Sequence, residues 1–346
     1  MTAKPSLLIA IVVAALAAGT GPGRAAENVS IGIVGAVSDI TLFLAEKKGY
    51  FRDEGLNANL LTFDSGAKMV APLGAGQLDV GAGAWSAGLF NAVGRGIDIK
   101  IVADKATNKA PFDYRVVIVR SALIDQGQVK SFADLKGRKI GITAKGAADE
   151  SSLNEAMKTA HLTPADIERV YLGFSAQLVA LSNGGIDAAF SAEPDATIAV
   201  RKHIAAKFAP NSTFYPVQET GVILFGSNLL EKRRDIGVKF MRAYLRAVRF
   251  YDGALRNGHI AGPGADAVIA ALMELTKTTD ASVFREMTPS WCNPDGKTDR
   301  ASFNKDLAFF RAEGTLEGAV SGEKVLDGSF VEAALKTLGP DTGPRN

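Results

Sequence analysis

The feature that most constrains this chain is a repeat inside it. Gly76-Gln77-Leu78-Asp79-Val80-Gly81-Ala82 returns as Gly184-Gly185-Ile186-Asp187-Ala188-Ala189-Phe190, 108 residues later. Upstream, Val70-Ala71-Pro72-Leu73 matches Leu178-Val179-Ala180-Leu181 at the same offset, and Ile31-Gly32-Ile33 matches Ile140-Gly141-Ile142 at an offset of 109. Recurrences in the same order at nearly equal offsets imply two similar units. The period is far longer than the roughly 20–50 residues of a solenoid repeat, so each unit is a lobe in its own right.

Each unit is a series of strand–loop–helix steps. In the first, β-rich runs at 29–34, 57–63, 78–82 and 97–103 alternate with helical spacing at 40–48, 67–73 and up to Val93. Gly49 stands where a helix-ending glycine belongs. In the second, runs at 116–119, 139–143, 169–172 and 186–190 alternate with helical stretches at 149–160, 176–182 and after Glu193-Pro194. Strands alternating with helices predict a mainly parallel sheet flanked by helices in each lobe, an α/β fold. After a last β-rich run at 221–225 the chain turns helical, over 235–255, 265–275 and 303–312.

The first 25 residues read as an address. Lys4 precedes an apolar run at 7–18, and small residues lead to Ala25. A basic start, a short apolar core and a small-residue exit are the pattern of a secretory leader. The run is shorter than the ~20 residues a spanning helix needs. A buried N-terminal helix is the alternative. Removal of the leader takes Lys4 and Arg24 with it and leaves equal numbers of basic and acidic residues, since the whole chain has 39 against 37. The expected product is exported, soluble and without a membrane span. Near-neutrality offers no electrostatic footprint for nucleic acid. One Cys and three scattered His argue against a disulfide, a metal site or a cofactor held by thiolates.

Ligands of parallel α/β sheets sit outside the carboxyl ends of the strands. Two lobes facing each other would present two such sets of loops across a cleft. The loops supply Ser38, Asp39, Ser65, Gly66, Trp85 and Ser86 from the first series, and Lys145, Gly146, Ala147, Ser175 and Glu193 from the second. Tyr114, Arg115 and Thr220 stand near the chain's passages between lobes and are candidates for the cleft floor. The internal alignment places Trp85 and Glu193 on opposite walls. Trp85 is either a flat wall of the pocket or core packing beneath a helix. Glu193 either accepts hydrogen bonds from a ligand amine or amide, or is a first-turn acid stabilising the next helix. Ser38, Asp39 and Ser65 are equally good helix caps, and Lys145 is either an acid-neutralising cation or a solvated loop residue.

Several segments resemble those of the solute-binding proteins of ABC importers, in the branch that takes sulfonates, taurine, nitrate or pyrimidine precursors. Phe43-Leu44-Ala45-Glu46-Lys47-Lys48-Gly49-Tyr50-Phe51, continuing to Gly55-Leu56, resembles that family's first helix and its exit. Asp134-Leu135-Lys136-Gly137-Arg138-Lys139-Ile140-Gly141 resembles the opening of its second lobe, and Gly185-Ile186-Asp187-Ala188 with Glu193-Pro194 a later segment. Asp327-Gly328-Ser329-Phe330 resembles its C-terminal signature. The resemblance implies a type II periplasmic-binding-protein-like fold whose first lobe is discontinuous: 26–116 and 220–346 in one lobe, 117–219 in the other. It further implies hinge crossings near 116–119 and 220–224, a monomer that closes on a small solute, and delivery to a membrane permease without chemical turnover. A thiamine-pyrimidine synthase also resembles this family but carries a cysteine cluster and an active-site histidine. That enzyme, or a sensing module handing its ligand to a receptor, is the alternative.

Overall fold

The computed structural model describes residues 25–318 and 320–343. The expected leader lies outside them except for Ala25. Ten main strands form two sheets of five. They are β1 (Glu27–Ile33), β2 (Leu56–Thr62), β3 (Val80–Gly83), β4 (Ile99–Lys109), β5 (Arg115–Arg120), β6 (Lys139–Ile142), β7 (Glu168–Tyr171), β8 (Ala188–Ala192), β9 (Ala205–Pro210) and β10 (Val217–Gly226). The orders are β2-β1-β3-β10-β4 and β7-β6-β8-β5-β9. β1 corresponds to β6, β2 to β7 and β3 to β8, which is the repeat seen in the sequence. The first three strands of each sheet are parallel. The fourth, β10 or β5, runs antiparallel to both of its neighbours, so each sheet is mixed.

The antiparallel strand in each sheet has just crossed from the other. The chain leaves β4 for β5 over residues 110–114 and returns from β9 to β10 over 211–216. The segments expected as crossings, 116–119 and 220–224, lie a few residues later, inside β5 and β10. β9 was not legible in the sequence. Its residues Ala-Ala-Lys-Phe-Ala-Pro carry no β-branched side chain and little strand preference.

Packing explains where the late helices go. The helix Arg234–Gly253 buries Phe240, Tyr244, Val248 and Tyr251 along one stripe and shares the first lobe's core with Phe51, Phe225 and Phe330. Phe51 and Phe225 lie 5.3 and 5.5 Å from the Phe240 ring. The helix Arg300–Ala312 instead lies between the lobes. Its Phe303 packs edge-on against Trp85 and Phe90 of the first lobe, at 5.4 Å each. Its Lys305 reaches Glu155 of the second lobe at 2.7 Å.

Buried acids stand at this junction. Asp306 accepts the Trp85 indole N–H at 2.7 Å and the Tyr215 hydroxyl at 2.9 Å. Burial pushes its carboxyl up to about 6. Asp104, on β4, is also pushed up to about 6 by burial, beside Glu219 of β10, which is raised as well. An acid whose folded pKa exceeds its unfolded value stabilises the fold when protonated, and that contribution is lost as pH rises from about 4 through the folded value. Asp306→Asn keeps an acceptor but cannot ionise. In urea unfolding followed from pH 4 to 7, the stability difference between wild type and Asp306→Asn should therefore shift in favour of the variant, by up to about 3 kcal/mol. A pH-independent difference would contradict the assignment.

Candidate functional site

The strand ends of the two sheets face each other across a cavity of about 830 Å³, lined by residues of both lobes. That volume suits one small organic molecule. Four helices of eight or more residues begin at its wall: Gly66–Gly74, Ala87–Gly94, Ala148–Lys158 and Phe174–Ser182. Their free N–H groups and positive dipole ends favour anionic groups. A glycine pair makes one of these approaches possible. A Cβ on Gly66 would lie 2.5 Å from the Ala84 carbonyl oxygen, and one on Gly83 would lie 2.5 Å from the Gly66 Cα. Only bare backbone lets the helix begin directly against the end of β3.

The walls touch along more than one seam. On one side Ser86 and Ala147 form an antiparallel bridge, and the Ala87 N–H donates to the Gly146 carbonyl at 2.9 Å. On another, Arg201 of the second lobe donates to Glu286 at 2.6 and 2.8 Å and to Asp280 at 2.9 Å, both of the first lobe. These ion pairs are exposed, so each stabilises closure only weakly. At the floor, the Tyr114 and Thr220 hydroxyls lie 2.6 Å apart and join the first passage between lobes to β10.

Twelve of the fourteen sequence candidates line the cavity: Ser38, Ser65, Gly66, Trp85, Ser86, Tyr114, Arg115, Lys145, Ala147, Ser175, Glu193 and Thr220. Asp39 and Gly146 do not. Asp39 sits one layer behind the wall, where both oxygens are engaged: Oδ2 accepts the Val34 and Ala36 N–H groups, and Oδ1 the Lys105 ammonium at 2.5 Å. Gly146 belongs to the seam. Trp85 touches the cavity but is only 1% exposed. Its ring edge and N–H are committed to Phe303 and Asp306, which is the packing alternative rather than a flat wall. Glu193 is also committed, to Lys207 at 2.6 Å and to the Thr197 N–H at 3.0 Å, and so stabilises the next helix from just before its start. The Ser86 hydroxyl caps its helix by accepting the Leu89 N–H. Ser175 donates to Asp195 at 3.4 Å. Ser65 occupies an N-cap position without a capping bond, and Lys145 is an exposed lysine at the rim.

The Arg115 guanidinium keeps its donors largely uncommitted. It lies over the Phe174 ring at 4.9 Å, and its nearest carboxylate, Asp149, is 3.8 Å away. Sequence reasoning missed Lys105, Asp149, Phe63 and Tyr171, which also line the cavity. Lys105 and Asp104 looked like the polar end of a strand closing at Ala103, whereas β4 continues to Lys109. Asp149 is the first residue of the helical stretch expected over 149–160, and nothing beside it in the sequence marks it. The histidines are exposed and none lines the cavity, nor does buried Cys292.

A protein-family model described as NMT1/THI5 like matches residues 38–252, more than half of the chain. The chain belongs to the NMT1/THI5-like family. A Brucella abortus protein named as a binding protein is 32% identical over 204 residues, covering 58% of this chain and 59% of that one. The 4-amino-5-hydroxymethyl-2-methylpyrimidine phosphate synthase of Aspergillus parasiticus is 27% identical over 221 residues, covering 60% and 61%. The chain thus spans about six-tenths of the length of the curated relatives it matches. Among solved structures, the alkanesulfonate-binding protein of Xanthomonas axonopodis pv. citri superposes with a TM-score of 0.68 at 19% identity, over 86% of this chain and 97% of that one. The periplasmic nitrate-binding protein of Synechocystis PCC 6803 gives 0.75 at 12% identity, over 92% of each. These likenesses establish the fold of this NMT1/THI5-like chain as that of type II periplasmic binding proteins. No helix among the described residues is long and apolar enough to cross a membrane.

The Asp39–Lys105 pair behind the wall is fully buried. Removing one partner leaves an uncompensated charge, and Lys105→Met should cost about 3–5 kcal/mol in urea unfolding. The double variant Asp39→Asn with Lys105→Met should recover most of that loss. A single variant as stable as wild type would contradict the pairing.

Proposed function

We propose that this chain is an extracytoplasmic solute-binding protein. It captures a small organic solute bearing an acid group in the interlobe cleft and presents the closed form to the permease of an ABC importer. The observation that carries this reading is the cavity itself, built from both lobes, whose walls meet. Only a molecule that contacts both walls binds the closed arrangement better than the open one, and only differential affinity shifts that equilibrium. The converging helix N-termini and Arg115 supply donors for a sulfonate or carboxylate. Phe174 and Phe63 supply apolar surface for the rest of the molecule. A sulfonate, a taurine-like zwitterion, a nitrogen heterocycle with an acid group and an aromatic acid all fit this pattern. The names of the structural neighbours support transport, and the leader read in residues 1–25 supports export to the periplasm.

The synthase relatives carry a second reading, in which the same cleft performs chemistry on a pyrimidine precursor. The two readings separate on the fate of the solute. A thermal-shift screen of sulfonates, taurine, nitrate, pyrimidines and aromatic acids should yield a molecule that raises the melting temperature by mass action. That molecule should be recovered unchanged after prolonged incubation. Turnover would replace the transport reading with the enzymatic one. For the solute so found, Arg115→Met should weaken binding in calorimetry about tenfold or more, equivalent to about 1.4 kcal/mol. Undiminished affinity would remove Arg115 from the site.

A further inference from the structure

The two lobes repeat one carboxylate and treat it differently. In the first lobe, Asp39 follows β1 and its Oδ2 accepts the N–H of Val34, the residue just after that strand, at 2.9 Å. In the second, Asp149 follows β6 and its Oδ2 accepts the N–H of Thr143, again the residue just after the strand, at 2.6 Å. Val34 and Thr143 are 109 residues apart, the offset of the internal repeat. The second oxygens differ. Asp39 Oδ1 is met by the Lys105 ammonium at 2.5 Å. Asp149 Oδ1 is buried and has no hydrogen-bond partner among the described residues. Asp149 as a whole is 1% exposed, yet it lines the interlobe cavity.

No side chain of the second lobe fills the place that Lys105 holds in the first. Lys105 comes from β4, the fifth strand of its sheet. The corresponding strand, β9, carries Lys207, but that ammonium is turned to Glu193 at 2.6 Å. Arg115 lies 3.8 Å from Asp149 Oδ2, beyond hydrogen-bond reach. A buried carboxylate oxygen without a donor is costly, and native structures leave few such atoms unmet.

We propose that Asp149 Oδ1 is the acceptor for a primary ammonium group of the solute, which takes on this wall the place that the Lys105 ammonium takes behind the other. The assignment rests on the reading of the cleft as a solute site and narrows it. The solute carries an ammonium for Asp149 together with an acid group for Arg115 and the helix N-termini, and the nearness of Arg115 to Asp149 keeps the two ends a few bonds apart.

The test uses the full chain and the variants Asp149→Asn and Asp39→Asn. Without solute, Asp39→Asn strips a buried lysine of its partner and should lower the melting temperature by about 5 °C or more, whereas Asp149→Asn should leave it nearly unchanged or raise it. An Asp149→Asn loss as large as that of Asp39→Asn would make Asp149 a structural group and overturn the proposal. Calorimetry with 3-aminopropanesulfonate and 1-propanesulfonate reads the assignment directly. Wild type should bind the amine-bearing member about tenfold tighter or better, and Asp149→Asn should bind the two alike. A wild type without that preference, or a variant that keeps it, overturns the proposal. If neither sulfonate binds, the acid-solute reading of the cleft fails by itself. Propylammonium then decides the remainder: binding lost in Asp149→Asn supports the ammonium site, and absence of binding to wild type overturns it.

Discussion

Two strands hold the molecule's design together. β5 and β10 each complete one sheet immediately after the chain has left the other, and each runs against the direction of its neighbours. Neither lobe can finish its sheet without the crossing that feeds it, so the relative placement of the lobes is fixed by the same hydrogen bonds that build them. The Tyr114–Thr220 hydroxyl contact at 2.6 Å links the first passage to β10 at the cleft floor. A hinge made of two short connections between well-packed sheets permits one principal motion, the opening and closing of the cleft.

What closes over the cavity is mostly backbone. The seam at Ser86–Ala147 and Ala87–Gly146 is a main-chain contact, and the helix starts around the cavity offer main-chain N–H groups. The charged side chains divide into two sets. Asp39 with Lys105, Glu193 with Lys207 and Asp306 with Trp85 and Tyr215 are engaged with each other and hold the walls in shape. Arg115 and Asp149 line the space between the walls with capacity unused. The first set costs stability if broken; the second is free to recognise something. A relative named as a synthase and neighbours named as binding proteins share this frame, and fold alone does not choose between those activities.

The sequence made the two-lobe architecture legible because the repeat survives in residues under strong constraint. Gly76 and Gly184 hold positive φ at equivalent turns, and Asp79 and Asp187 each accept a backbone N–H of the neighbouring parallel strand, β1 or β6. Loop positions were legible too, since they follow from strand ends. Side-chain roles were not. Trp85 draws attention as a rare aromatic on a strand-end loop, but Asp306, which claims its N–H, lies 221 residues away. The partners of Asp39 and Glu193 come from β4 and β9, the first longer than its apolar run and the second without strand-like composition. A carboxylate reads alike in sequence whether its second oxygen is engaged or open, so Asp149 could be separated from Asp39 only once the neighbours of both were in place.

If a solute bridges both walls and holds the lobes together, the distance between the lobes must respond to it. Nitroxide labels at the exposed positions Glu46 and Gln128, one on each lobe, with the distance between them measured by pulsed electron spin resonance, test this most directly. The free protein should give a broad distribution reaching to longer distances, collapsing on saturation to a single narrow population at the distance of the closed form. The same distribution with and without a bound solute would contradict it.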